Sequence, residues 1–473
     1  MEKYDLIVIG SGAGMNVASA AYEKGMRVAV VENGPMGGTC LNRGCIPTKI
    51  LTYVADVITE AKHLESLGVK LQVESIDYPW IMKRMREEVD NSSRQQGQSV
   101  DEAEGIDWYK GTGQFVGDYT MEINGRKIRS PTIVIAAGAR PNIPRIKGLN
   151  ELQYLVEDDA LHLMEKPESM IIVGGGYIAT EFGHFFSAVG VAVTIIGRNP
   201  YLVKNEDSDV SEVLREELSK RMNILVNHEV IEVKQDGQQK IVWARDRDTG
   251  EVKESRGEAL LIATGRHSNA DLFKPEKTGV KVDEQGWVIV DDYFRTSKKG
   301  IWAFGDAIGR YQFRHVANTE SDIVWSNLSE VMSNSKDAEL LTMDYHAVPR
   351  AVFSYPPIAT VGMTLKEAKE SGHQLLVGQG DYSTAAKGFA MGNPPSLVRV
   401  IVDAENKKIL GASIVGPDAP VLIQEIANLM YTQDGSFYPM LQAMHIHPSL
   451  SEVVQRTFGR LAPLDHVHEH HHH

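Results

Sequence analysis

Short unbroken apolar runs mark the N-terminal two thirds of the chain. Leu6-Ile7-Val8-Ile9, Val28-Ala29-Val30-Val31, Met170-Ile171-Ile172-Val173 and Val191-Ala192-Val193-Thr194-Ile195-Ile196 carry no polar alternation, so they read as strands buried on both faces, the pattern of a parallel sheet. Helical spacing follows the first of them as far as Lys24 and returns over Leu51 to Leu67 and Ile76 to Val89. The polar stretch Asp90 to Gly97 reads as a surface excursion, and short strands are expected around Trp108-Tyr109, Gly113-Gln114-Phe115 and Thr120-Met121-Glu122. Strand, helix and strand in alternation predict an α/β fold. From about Ala347 a new α+β module opens, with strand-like Leu397 to Val402 and Ile409 to Val415.

Glycine gives two of these runs a chemical meaning. Gly10-Ser11-Gly12-Ala13-Gly14 follows the first run and opens a helix, and Glu32 lies 20 residues after Gly12. This βαβ order lets the backbone approach a pyrophosphate at a helix N-terminus and sets an acid against ribose hydroxyls. The third fingerprint glycine would fall at Met15, with Gly14 one place early, so phosphate binding rests mainly on Gly10 and Gly12. Gly174-Gly175-Gly176-Tyr177 repeats the unit after Met170 to Val173, which implies two bound dinucleotides. Twenty residues beyond Gly176 stands Ile196 rather than an acid, and Arg198 is close by. An arginine there suits a 2′-phosphate, which favours NADPH over NADH; the competing reading of Arg198 is a solvated loop residue.

Composition narrows the class. With 473 residues, 42% of them hydrophobic, the chain can build two to four domains with their own cores. A formal charge of -14 and a pI near 5.6 speak against a general role on nucleic acid or an anionic membrane, while leaving room for a local basic pocket. No run approaches the roughly 18 apolar residues of a membrane span. The first strand begins at once, with no signal peptide before it, and a cytoplasmic location is expected. The histidine-rich end, 463–473, reads as an appended tag.

Only two cysteines occur, Cys40 and Cys45, within Gly37-Gly38-Thr39-Cys40-Leu41-Asn42-Arg43-Gly44-Cys45-Ile46-Pro47-Thr48-Lys49. A structural zinc site wants four ligands, and no second cysteine pair exists, so no metal is expected. Two buried apolar cysteines would leave the glycines and Lys49 without a reason. A helix start lowers a thiol pKa, and the pair reads as a redox-active disulfide.

This stretch resembles the active-site signature of the flavoprotein disulfide reductases, the pyridine nucleotide-disulfide oxidoreductases, and the resemblance runs from residue 4 to about 460. It implies two Rossmann-like domains, for FAD and NAD(P), plus a C-terminal α+β dimerisation domain. The expected limits are 1–155 and 273–346 for an interrupted FAD domain, 156–272 for the nicotinamide domain and 347–462 for the dimerisation domain. Thr132 to Pro141 resembles the strand that returns the chain to FAD, with Gly113, Ala137 and Gly138 approaching the cofactor. Gly38 and Thr39 join that site. Leu260 to Arg266 resembles the exit from the nicotinamide domain, with Gly265 beside the cofactor. Ile301-Trp302-Ala303-Phe304-Gly305-Asp306 resembles the second FAD signature, in which the aspartate meets the ribityl chain, and Arg314 to Asn318, with His315 and Ala317, the helix start under the isoalloxazine.

The same resemblance distributes roles. Cys45 exchanges electrons with the flavin, Cys40 attacks the substrate disulfide, Lys49 pairs with Glu181 beside the flavin, and Tyr177 covers the nicotinamide pocket. His447-Pro448-Ser449-Leu450-Ser451-Glu452 resembles the family's acid/base dyad, a histidine oriented by a carboxylate, which works on the disulfide of the partner subunit in a homodimer. Mercuric reductases and large thioredoxin reductases carry a further cysteine pair that is absent here. The loop after Gly10, the segment Phe182 to Gly190, Ser268 to Asp271 and His315 to Asn318 resemble the mycothione reductases. The leading expectation is therefore reduction of a small-molecule disulfide. The alternatives are dihydrolipoamide oxidation, by a free enzyme or a complex subunit, and a flavoprotein passing electrons to quinones.

Overall fold

The computed structural model describes residues 1–333 and 339–467. Most of the expected tag, from 468 on, lies outside the described residues. Pro463 still pairs with Leu376, and the short helix Leu464–Val467 packs Leu464 on Leu375 and Val377, so the ordered fold runs past residue 462.

Two parallel sheets and one antiparallel sheet organise the chain. The first has five strands in the spatial order Ile301–Ala303, Ile133–Ile135, Leu6–Ile9, Val28–Glu32, Ile106–Lys110, all parallel. Its edge strand comes from beyond residue 300, so the chain leaves this sheet and returns to it. The second has four parallel strands, Asn223–Leu225, Ala192–Ile196, Ser169–Val173 and Ala259–Ile262. In both, the chain reverses direction across the sheet beside the first strand, Leu6–Ile9 or Ser169–Val173. A ligand crevice opens at that switch point, past the carboxyl ends of the strands. Gly10 and Gly174 stand at those two ends.

Beside these lie a three-stranded antiparallel meander, His228–Asp236, Gln239–Asp246 and Val252–Gly257, and a C-terminal six-stranded sheet. That last sheet is antiparallel throughout, with Leu397–Asp403 and Ile409–Val415 at its centre. The protein is thus α/β with two Rossmann-like units and a C-terminal α+β module.

Gly14 takes the packing duty of the missing third glycine. A Cβ there would come within 2.9 Å of Val8 Cγ1 and 3.1 Å of Ala136, so only glycine lets the helix Gly14–Glu23 lie on its strand. The surface excursion expected over Asp90 to Gly97 is instead the middle of one helix, Tyr78–Glu102. Asp77 caps it on Trp80 N–H, and its buried stripe continues through Ser93, Gly97 and Val100. Ser93 donates to Met36 O at 2.6 Å, and Gly97 makes room for Trp108. Small residues carry the buried face there, which gives the segment a polar look in sequence.

Candidate active site

Glycine builds the turn that presents the cysteines. Gly37 and Gly38 have φ of 104° and 64°, and a Cβ on Gly38 would press within 2.7 Å of Gly12 Cα, so the cysteine loop lies directly on the first glycine loop. Cys40 sits in the short helix Gly38–Arg43, and Cys45 begins the long helix Cys45–His63. Gly44 between them allows the fold-back, since a Cβ there would stand 3.0 Å from Thr39 O.

Both cysteines are free thiols in this structure, and they hydrogen-bond each other. Cys45 is lowered to about 7 by the hydrogen bond from Cys40 and, less, by the Lys49 ammonium, against burial and, more weakly, Glu181. Cys40 is raised by the same bond and by burial, while Arg314 pulls it the other way. Cys45 is the thiolate of the pair and Cys40 the proton holder.

Lys49 Nζ stands 2.6 Å from Glu181 Oε2, with the Phe353 ring 4.4 Å away on another side. Glu181 is buried on the helix Tyr177–Ala188 and also accepts Phe353 N–H at 3.2 Å. Tyr177 opens that helix; loss of solvation pushes its phenol up to about 12, which keeps it a neutral donor at neutral pH.

One continuous cavity of about 2260 Å³ joins these groups. Gly10 and Gly12, Cys40 and Cys45, Lys49, Gly174 and Gly176, Asp306 and Arg198 all line it. So do Glu32, Gly38, Thr39, Ala137, Gly138, Tyr177, Glu181, Gly265, His315 and Ala317. At Gly138, Gly176 and Gly265 a Cβ would meet no protein atom within 4 Å, so these glycines keep a cradle open for a ligand to lie against. Basic residues outnumber acidic ones along the wall, Arg43, Arg140, Arg266 and Arg314 among them. In a chain of charge -14 that basic lining suits pyrophosphate.

Gly113 and Gly14 are outside the lining. Gly113 is a packing position, where a Cβ would meet Met121 and Val31 at 2.8 Å. His447 and Glu452 also lie away from the cavity of their own chain. His447 Nδ1 is 3.0 and 3.1 Å from the two Glu452 oxygens, Glu452 is pulled down by that bond and by Ser449 N–H, and the ring is 66% exposed.

Three residues of the site had no role of their own assigned from sequence. Arg266 is buried against Glu157 at 2.8 Å and lies 4.0 Å from Asp306, whose carboxyl burial pushes upward. Its only signal was its place next to Gly265. Arg314 stands in the helix start that the resemblance set under the isoalloxazine, without a contact of its own being expected, and Phe353 gave no signal, because it enters from a distant segment.

Among the described residues no helix is long and apolar enough to cross a membrane, and no group of three or more His, Cys, Asp or Glu side chains gathers as a metal site. The family model for pyridine nucleotide-disulphide oxidoreductases matches residues 4–321, and that for their dimerisation domain matches 348–458. The chain is 34% identical to mycothione reductase of Mycobacterium tuberculosis over 97% of its length and 99% of the relative's. It is 32% identical to mercuric reductase of Staphylococcus aureus, covering 88% of this chain and 75% of the relative, and 29% identical to dihydrolipoyl dehydrogenase of Chlamydia muridarum, covering 96% and 95%. Among solved structures, the HOCl-induced flavoprotein disulfide reductase RclA from Escherichia coli superposes with a TM-score of 0.83 at 28% identity, over 96% of this chain and 99% of that one.

Proposed function

The chain belongs to the pyridine nucleotide-disulphide oxidoreductase family, and on that premise we propose that it is an FAD-dependent, NADPH-linked reductase of a small soluble disulfide, acting as a homodimer. The observation that carries this reading is the single cavity, in which two glycine loops converge on one thiol pair. The first loop with Glu32, Gly38, Thr39 and Asp306 would hold FAD; the second, with Tyr177, Arg198 and Gly265, would hold the nicotinamide cofactor. When bound, FAD supplies the two-electron link between the nicotinamide and the cysteines.

The remaining chemistry belongs to the chain. Cys40 holds its proton against Cys45, so a base has to remove it before Cys40 can attack. His447 is built for that task, its Nδ1 fixed by Glu452 and its ring exposed. In the dimer, His447 of the partner subunit takes the Cys40 proton. The Cys40 thiolate then attacks the substrate disulfide, forming a mixed disulfide and expelling one thiolate, which His447 protonates. Cys45 thiolate attacks Cys40 Sγ, expelling the second substrate half as a thiolate, which takes its proton from solvent, and leaving a Cys40–Cys45 disulfide. Two electrons have passed to the substrate. Lys49 steadies the Cys45 thiolate throughout, and Glu181 holds Lys49.

Steady-state kinetics with NADPH and NADH against disulfides of lipoamide, glutathione, coenzyme A and a glycosylated thiol tests the reading. NADPH preferred, with a soluble disulfide as best substrate, is the expected result; NADH preferred, with lipoamide best, sinks it. Alkylation of the reduced protein tests the thiol assignment. The reaction at Cys45 should rise with pH through a midpoint of about 7, and Lys49→Met should move that midpoint upward by removing a cation that favours the thiolate.

A further inference from the structure

Behind the Lys49–Glu181 pair the same two helices meet again. Asp56 follows Lys49 by seven residues and His184 follows Glu181 by three, so both pairs lie along one helix–helix seam. His184 Nε2 stands 2.8 Å from Asp56 Oδ1, and the imidazole is fully buried. Its other nitrogen, Nδ1, faces Arg221 Nη1 at 2.7 Å. A guanidinium only donates, so Nδ1 is the unprotonated nitrogen and Nε2 carries the hydrogen toward the carboxylate. Burial lowers the His184 pKa, which keeps the ring in this neutral tautomer, and burial also draws Arg221 down to about 10.

Arg221 ties the seam to a third part of the chain. Its Nη2 donates to Tyr355 O at 3.1 Å, and its Nη1 lies 3.5 Å from Thr59 Oγ1. The Tyr355 hydroxyl returns to Glu60 Oε2 at 2.5 Å, and its ring lies 6.3 Å from the His184 ring. The cysteine helix, the second nucleotide unit and the C-terminal module therefore close on one imidazole. Phe353 covers the first pair of the seam and Tyr355 the second.

We propose that His184 is a positioning residue for the redox pair: bridging Asp56 and Arg221, it locks the cysteine helix against the helix that carries Glu181. The proposal rests on the reading of Cys45 as the thiolate. Lys49 and Cys45 share a helix four residues apart and move together, whereas Glu181 belongs to the opposing helix. Opening the seam takes Glu181 away from Cys45. Burial and the Glu181 charge both oppose the thiolate, and a loosened seam eases both, so it makes Cys45 more acidic.

The test is alkylation of Cys45 by iodoacetamide across pH, read by mass spectrometry on the holoenzyme in its dithiol form. Asp56→Ala and His184→Phe should raise the rate at pH 6 about threefold, the effect of a fall of roughly half a unit in the midpoint. Asp56→Asn, which keeps an acceptor for Nε2–H, should retain the wild-type profile, and Glu181→Gln should move the midpoint in the same downward direction. An unchanged midpoint in Asp56→Ala and His184→Phe overturns the proposal, even where melting temperature falls, because the seam would then only support the fold. A wild-type Cys45 with no midpoint near neutrality would instead overturn the thiolate reading beneath it.

Discussion

Gly10 and Gly174 face the same obstacle. A Cβ on Gly10 would stand 2.2 Å from Ala136 O, and one on Gly174 would stand 2.1 Å from Ala263 O, each carbonyl lying just past the end of the strand across the switch point. Both glycines have positive φ, 101° and 137°. Past this shared turn the crevices diverge. In the first, Glu32 is buried and already held: its Oε2 accepts from Ser11 N–H and Oγ–H, at 2.9 and 2.8 Å, and its Oε1 from Gly34 N–H at 2.8 Å. In the second, Ile196 is a core residue and Arg198 is exposed, paired only loosely with Glu229 at 3.3 Å. The first crevice has met the cost of ordering its polar groups before a ligand arrives, and the second has not. A tightly retained cofactor suits the one and an exchanging cofactor the other.

The largest effect should come from the shared turn. Gly10→Ala should purify with less than about a tenth of the wild-type flavin, because the new methyl meets a backbone oxygen that cannot swing away and φ is strained as well. Gly174→Ala should keep its flavin and lose its reduction by the nicotinamide cofactor instead. Absorbance of the purified proteins and stopped-flow reduction separate the two; equal flavin loss in both would break the comparison. Next in size is Glu32→Gln, which preserves shape and removes charge from a set of three donors. Those internal bonds are made with or without ligand, but the charged acceptor they fix for the ribose hydroxyls is lost, and a hydrogen bond to a charged group contributes about 1.5–3 kcal/mol, so flavin affinity by titration of the apoprotein should fall at least about tenfold.

These contrasts mark what the sequence could reveal. Local patterns carried far: the apolar runs ending at Gly10 and Gly174 became the central strands of two sheets, and the spacing from Gly12 found Glu32 in its crevice. The pairing of Lys49 with Glu181, 132 residues away, needed a family resemblance to be anticipated at all. Arg314 and Arg266 stood in stretches the resemblance had marked, but their contacts, like the whole of Phe353's, stayed hidden because nothing local distinguishes an arginine or phenylalanine that reaches a cavity from one that meets solvent. Tyr78–Glu102 failed for a different reason: Ser93 and Gly97 bury small surfaces, and a pattern that counts apolar residues does not see them.

The smaller effects sharpen the open crevice, on the reading that it takes NADPH. Arg198→Ala should lower the NADPH-to-NADH ratio of kcat/KM by about tenfold or more, since one charge-assisted bond to a 2′-phosphate is lost while NADH has nothing there to lose. An unchanged ratio would return Arg198 to the solvated loop.

Glu229→Gln should give the least change and the opposite sign. In the free protein Glu229 is the ion-pair partner of Arg198, with side-chain exposures of 48% and 67%, and a pair so wet contributes at most about 1 kcal/mol. Binding a 2′-phosphate has to break that pair, and the carboxylate left behind repels the incoming anion. Removing its charge should therefore lower the KM for NADPH by no more than about fivefold. It should leave the KM for NADH in place, and raised salt should shrink the gain, because exposed charges are screened over about 8–10 Å. A gain shared equally by NADH would show that Glu229 acts on the nucleotide as a whole, and would separate it from the discrimination assigned to Arg198.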